Sequence, residues 1–299
     1  MWPAKCGATA ARRHGSQCIG VQMIRDLTYM PNLGDARVFV RDVGPDDGPV
    51  VIALHPEPGD GRLFEGLVSR IAPEVRCIVP DLRGHGRSGK PRGDYSVPTQ
   101  TAAVIAVLDS LSIDRAIWLG CSYGGILSIY AAIHYPDRVA GLMPTGTNAF
   151  AGFKLPPPAR LLASGAGRFL RPIVTKTLLA RSYREQYAQP DRCPPARIDH
   201  LYDEFSHPDS YWTMWRQANQ IDWGISEARL SEIAAPTHIV WGRQDKATPA
   251  DDAARLMAAV PGATLKVIED CGHYPPIERP DAFAPEVRSL VARVAATPV

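Results

Sequence analysis

Three residues far apart in the chain carry groups that together could cleave a carbonyl compound. Ser122 lies in Gly120-Cys121-Ser122-Tyr123-Gly124-Gly125, Asp245 in Gly242-Arg243-Gln244-Asp245, and His273 in Asp270-Cys271-Gly272-His273. A serine hydroxyl is a weak nucleophile, so it needs a base to take its proton, and the base needs an acid to orient it. Both partners follow the serine in the order acid, then histidine, which is the order used where the nucleophile sits on a strand-turn-helix. Glycines two before and two after the serine are what such a turn demands, because a Cβ there would clash. The serine itself takes strained dihedrals that lift it clear of the sheet. A following helix aims its unpaired N–H groups at charge developing beside Ser122.

The acid has two candidates. Asp270 stands so close before His273 that it suits a turn-bracing role, which leaves Asp245 as the expected acid. His273 alone among eight histidines combines a C-terminal position with a strand-end loop. His55 and His85 also follow strands, but they precede Ser122 and read as loop braces. His134, His200, His207 and His238 have surface or strand readings, and His14 lies near the N-terminus.

The elements that must position these groups alternate regularly. Arg37 to Val43 reads as an edge strand, and Pro49 to Leu54, Val75 to Pro80, Ala116 to Gly120 and Val139 to Pro144 read as buried ones. Helical spacing of apolar residues marks Leu63 to Ile71, Thr101 to Leu111 and Gly124 to His134. Strands recur at Pro236 to Gly242 and Thr264 to Glu269, around a helix from Pro249 to Val260, and Pro280 to Val294 closes the chain as a helix. Continuous apolar strands between helices imply an α/β fold, a mostly parallel sheet with helices on both faces. The expected core is 26–147 plus 234–299, with an inserted helical cap at 148–233, where no strand pattern is found. Residues 1–25 contain no carboxylate but include Lys5, Arg12, Arg13 and Arg25, and they read as a disordered leader.

Composition closes off other classes. With 33 Lys and Arg against 31 Asp and Glu, the net charge of +2 gives no field to draw the chain onto nucleic acid. No run of about 18 apolar residues exists, so no membrane-spanning helix is expected. The six cysteines are scattered, as in a reduced, cytoplasmic protein, and none lies at zinc-ligand spacing, so no metal is expected. Gly84-x-Gly86-x-x-Gly89 mimics a dinucleotide fingerprint, but Pro91-Arg92-Gly93 prevents the helix that would hold phosphates.

With His55-Pro56-Glu57-Pro58, Asp81-Leu82-Arg83-Gly84-His85-Gly86-Arg87-Ser88, the serine turn, Gly242 to Pro249 and Cys271-Gly272-His273, the chain resembles the α/β-hydrolase superfamily over roughly residues 25 to 297. The resemblance implies Ser122 as nucleophile, Asp245 as orienting acid and His273 as general base, with no cofactor. Cys121 is not a rival nucleophile, since its side chain should point back under the turn. Relatives with an aspartate nucleophile are disfavoured by Ser122. Family members read His-Gly-x-Pro after the third strand and use the N–H of x in the oxyanion hole. Here Pro56 replaces the glycine, so the hole is assigned to the backbone N–H groups of Glu57 and Tyr123, with the Glu57 carboxylate pointing away or protonated.

The cap region carries seven cations and no carboxylate from Asn148 to Arg184, suited to anionic lipid, to a substrate carboxylate, or to a solvated face. Trp212 and Trp215 could line an acyl pocket or serve the cap's own packing. The expected activity is hydrolysis of a small to medium apolar ester or lactone through an acyl-enzyme. The alternatives are C–C bond hydrolysis of a diketone-like substrate, and a non-catalytic ligand receptor on the same fold. The expected partner is a small-molecule substrate, and the oligomeric state is left open.

Overall fold

The computed structural model describes residues 12–19, 22–29, 36–153 and 157–296. The strands are β1 (Arg12–Ile19), β2 (Gln22–Tyr29), β3 (Val38–Val43), β4 (Val50–Leu54), β5 (Arg76–Pro80), β6 (Ala116–Cys121), β7 (Val139–Thr145), β8 (His238–Gly242) and β9 (Thr264–Ile268). β6 shows why a two-sided sheet forms. Its residues are all buried, with Ala116 and Trp118 in one apolar core and Ile117, Leu119 and Cys121 in the other. β4 alternates in the same way, Ile52 and Leu54 against Val51 and Ala53. Such strands are stable only when helices cover both faces.

On one face lie α2 (Val97–Ser110), α3 (Tyr123–His134) and α8 (Ala250–Ala259), and on the other α1 (Glu65–Ile71) and α9 (Pro280–Ala296). The strand order is β1-β2-β3-β5-β4-β6-β7. Pairing is parallel from β5 through β4 and β6 to β7, and antiparallel among β1, β2, β3 and β5. β8 and β9 pair in parallel and meet the β7 edge through a parallel bridge between Leu142 and Thr237. Between β7 and β8 the described chain forms α4 (Pro157–Leu162), α5 (Lys176–Arg184), α6 (Pro195–Ser206), α7 (Pro208–Gln220) and short turns, with no strand among the described residues. α6 and α7 each begin on a proline, whose missing N–H costs nothing in the first turn.

The expectation of a disordered leader at 1–25 is corrected. β1 and the first half of β2 fall inside it, and β2 pairs with β3 from Ile24↔Val43 to Tyr29↔Val38. The open edge of β3 offers main-chain partners, and a ladder of main-chain bonds does not depend on the missing carboxylates. The part of the leader before Arg12 lies outside the described residues. α2 also starts earlier than its apolar spacing suggested, at Val97, with a proline in its first turn.

Candidate active site

Ser122 joins β6 to α3 with φ +51 and ψ −115, a strained conformation for a residue bearing a Cβ. Its surroundings hold it there. The Ser122 N–H donates to Thr145 O over 2.9 Å, and the Thr147 hydroxyl donates to Ser122 O over 2.7 Å. A Cβ on Gly120 would lie 2.2 Å from Gly124 O, and one on Gly124 would lie 2.1 Å from Leu54 O. Cys121 is fully buried under the turn, where burial pushes its thiol well above the ordinary range.

Asp245 follows β8 and His273 follows β9, at the carboxyl ends of their strands, as Ser122 is at the end of β6. That is where open α/β sheets gather their functional groups. His273 Nδ1 lies 2.9 and 3.0 Å from the two Asp245 carboxylate oxygens, and its Nε2 lies 3.1 Å from Ser122 Oγ. The carboxylate also accepts the N–H groups of Ala247 and Thr248, over 2.8 and 2.9 Å, and the Thr248 hydroxyl over 2.7 Å. Burial works against its charge. The His273 ring and the Thr248 donors outweigh burial and hold the carboxyl below its usual range. An acid on Nδ1 fixes the tautomer that presents a bare Nε2 to the hydroxyl. His273 is itself held by its backbone N–H, which donates to Gln186 O over 2.9 Å. Asp270 goes elsewhere: it is half-buried and pairs with Arg192 over 2.5 Å.

The loop after β4 carries Glu57. Its Oε2 bonds both His85 Nε2 and Gln217 Nε2, the latter over 3.1 Å. The Glu57 carboxylate thus meets an imidazole and an amide donor, two partners that the sequence reading did not name. Burial works against a charge on His85, which is 3% exposed, but Glu57 outweighs it and raises the imidazole above its ordinary value. His55 braces the same loop. Its Nδ1 meets Pro56 O at 3.0 Å and its Nε2 accepts the Leu82 N–H over 2.9 Å, while burial, then His85, lower it to about 4. Arg197 on α6 reaches the loop from above, donating to Pro58 O over 3.4 Å and to the Tyr183 hydroxyl over 3.1 Å. Tyr123 is the first residue of α3, directly after Ser122.

Trp212 packs edge-on against Tyr95 under the Arg92 guanidinium, and Trp215 donates from its indole to Ser164 O over 2.7 Å. Trp212 thus packs against residues of the core and Trp215 within the insertion, and none of these contacts joins either ring to Ser122. Sequence reasoning missed Gln217, which sits in an amphipathic helix with no local signal. It also missed Thr248, whose place three residues after Asp245 is a recognisable side-chain turn. After Gly84, Gly86 and Gly89 no helix begins until Val97. Among the described residues no cluster of His, Cys, Asp or Glu could hold a metal, and no helix is long and apolar enough to cross a membrane.

Residues 49–280 match the family model described as the alpha/beta hydrolase fold. The chain is 28% identical over 266 residues to a 2-hydroxy-6-oxononadienedioate/2-hydroxy-6-oxononatrienedioate hydrolase from Klebsiella pneumoniae, covering 86% of this chain and 91% of that protein. A solved structure of Est816, an N-acyl homoserine lactone degrading enzyme, is 29% identical with a TM-score of 0.70, covering 85% of this chain and 96% of that one. The 2-hydroxy-6-oxo-6-phenylhexa-2,4-dienoate hydrolase from Rhodococcus sp. strain RHA1 shares the fold at a TM-score of 0.79 and 20% identity, covering 91% of this chain and 100% of that one.

Proposed function

This chain belongs to the α/β-hydrolase fold family and is a hydrolase; from that premise we propose that it is a cofactor-independent serine hydrolase of small to medium, largely apolar esters or lactones. His273 takes the Ser122 proton through Nε2 as Oγ attacks the carbonyl carbon. The oxyanion is held by the backbone N–H groups of Glu57 and Tyr123, and Asp245 stabilises the imidazolium that forms. His273 then gives the proton to the departing alkoxide, leaving an acyl-enzyme. A water deprotonated by the same nitrogen attacks the acyl carbon, and the acid leaves as Ser122 regains its proton.

The observation that carries this reading is the pair of contacts made by one ring: Nδ1 on a buried carboxylate and Nε2 3.1 Å from a hydroxyl on a strained turn. The degradation of N-acyl homoserine lactones named for the 29% identical structure supports the lactone side of the substrate class. The described cysteines Cys77, Cys121, Cys193 and Cys271 are all free, which supports a reducing, cytoplasmic setting.

A second reading, hydrolysis of a carbon–carbon bond in a diketone-like acid, is favoured by the dienedioate named for the Klebsiella pneumoniae relative. Arg197 on α6, which donates to Pro58 O in the loop that carries Glu57, is the guanidinium suited to such a substrate's carboxylate. Turnover of p-nitrophenyl butyrate and an acyl lactone, set against a ring-cleavage diketo acid, separates the two. The first reading expects a burst of p-nitrophenol stoichiometric with enzyme and absent from Ser122→Ala. Turnover of the diketo acid alone would replace it with the second.

A further inference from the structure

Leu161, Phe169, Ile173 and Leu178, exposed at 53%, 68%, 64% and 54%, are four of the five large hydrophobic side chains exposed among the described residues. All four fall in one stretch of the insertion, spanning α4, the turns at Gly167–Phe169 and Arg171–Ile173, and the start of α5. Solvated apolar side chains are common singly, but such a concentration marks an interaction surface. Along the chain the charges of this stretch share one sign, since no carboxylate occurs from Asn148 to Arg184.

Pairing separates the cations. Lys176 pairs with Asp199 over 2.5 Å, and Arg181 with Glu185 over 2.9 Å. Arg160, Arg168 and Arg171, which interleave with the exposed apolar residues, have no ion pair with a carboxylate among the described residues. Arg168 lies over the Phe169 ring at 4.5 Å, and Arg171 donates to Ser206 O over 2.7 Å.

We propose that this face of the insertion docks on an anionic lipid surface, with Leu161, Phe169, Ile173 and Leu178 entering the acyl boundary and Arg160, Arg168 and Arg171 meeting lipid phosphates. Separate apolar prongs between guanidinium groups match the interfacial layer of a bilayer, where apolar tips and phosphate-binding heads are buried at neighbouring depths. A second copy of the chain is disfavoured because a self-facing contact would bring the same three guanidinium groups together. The surface is tied to the rest of the protein: the Tyr211 hydroxyl and the Trp215 indole, both on α7, donate to Gly167 O and Ser164 O over 2.7 Å each. Lipid contact here is independent of the hydrolytic reading.

The test is co-sedimentation of the full chain with vesicles of phosphatidylglycerol and phosphatidylcholine in equal parts, against vesicles of phosphatidylcholine alone. Binding to the anionic vesicles is expected, with loss in molar salt, where screening shortens to about 3 Å. Arg160→Gln with Arg168→Gln lowers the partition coefficient roughly thirtyfold, equivalent to about 1 kcal/mol for each guanidinium lost. Phe169→Ser lowers it about tenfold while circular dichroism and hydrolysis of a soluble ester stay unchanged, since the ring is 68% exposed. Equal sedimentation with both vesicles, no sedimentation, or self-association that Phe169→Ser abolishes would each overturn the proposal.

Discussion

Gln217, on the last α-helix of the insertion, donates from Nε2 to Oε2 of Glu57 over 3.1 Å, the same oxygen that bonds His85. One carboxylate thus ties the helical insertion, the loop after β4 and the glycine-rich turn after β5 into one hydrogen-bonded network. The residue whose backbone amide the proposed reaction uses is anchored at its side chain by these two bonds.

Removing the Glu57 side chain should therefore cost stability as well as rate. Glu57→Ala leaves His85, 3% exposed, without its charged partner, and a loss of about 3 kcal/mol is expected from breaking a buried pair. Urea unfolding near pH 6 measures it. Glu57→Gln keeps the backbone amide and the hydrogen bonds and should lose less. Equal stability of Glu57→Ala and wild type would mean that the pair is not formed.

Asp245→Asn is expected to lower turnover about ten-thousandfold with the fold intact, because an amide presents the wrong partner to His273 Nδ1 while its oxygen can still accept from Ala247 and Thr248. Asp270→Asn should leave turnover near wild type, since Asp270 is bound to Arg192. Ester kinetics on both variants checks this; the reverse ranking would reassign the acid.

The serine turn makes a steric prediction. A Cβ on Gly124 would sit 2.1 Å from Leu54 O, which belongs to β4 and cannot swing aside. Gly124→Ala should cost about 3 kcal/mol by denaturant melt. Gly165→Ala, with nothing within 4 Å of its Cβ, should stay within about 0.5 kcal/mol of wild type.

His55 gives a pH dependence with a definite sign. Burial, and then the charge on His85, lower its folded value to about 4, whereas an unfolded histidine titrates near about 6.5. Between those values the unfolded chain binds the proton and the native chain does not, so this contribution is lost as pH falls through the window. The lost stability is on the order of 3 kcal/mol across it. His55→Gln, which can still accept the Leu82 N–H, should flatten that part of the stability–pH curve. An unchanged slope would remove His55 as its source.

Legibility in the sequence follows the range of the forces involved. Ser122, Asp245 and His273 could be read because each ends an apolar strand, and the sheet geometry brings strand ends together. Asp270 could be set aside because it stands so close before His273 that it suits a turn brace. The Glu57–Gln217 contact spans 160 positions and depends on how α7 packs over the β4 loop, so no local pattern announces it. β1 and β2 were hidden because ladder bonds run between backbones, and the composition of residues 1–25 records side chains only. Trp212 and Trp215 stayed open because one amphipathic helix can present aromatic rings either to a pocket or to its neighbours, and Tyr95 and Ser164 decide their contacts.

Active-site labelling with a fluorophosphonate, read by intact mass and peptide mapping, tests the proposed nucleophile most directly. One adduct per chain is expected on Ser122, none in Ser122→Ala, and labelling slowed by orders of magnitude in His273→Ala. A wild-type chain that takes no label, or takes it on another residue, would contradict it.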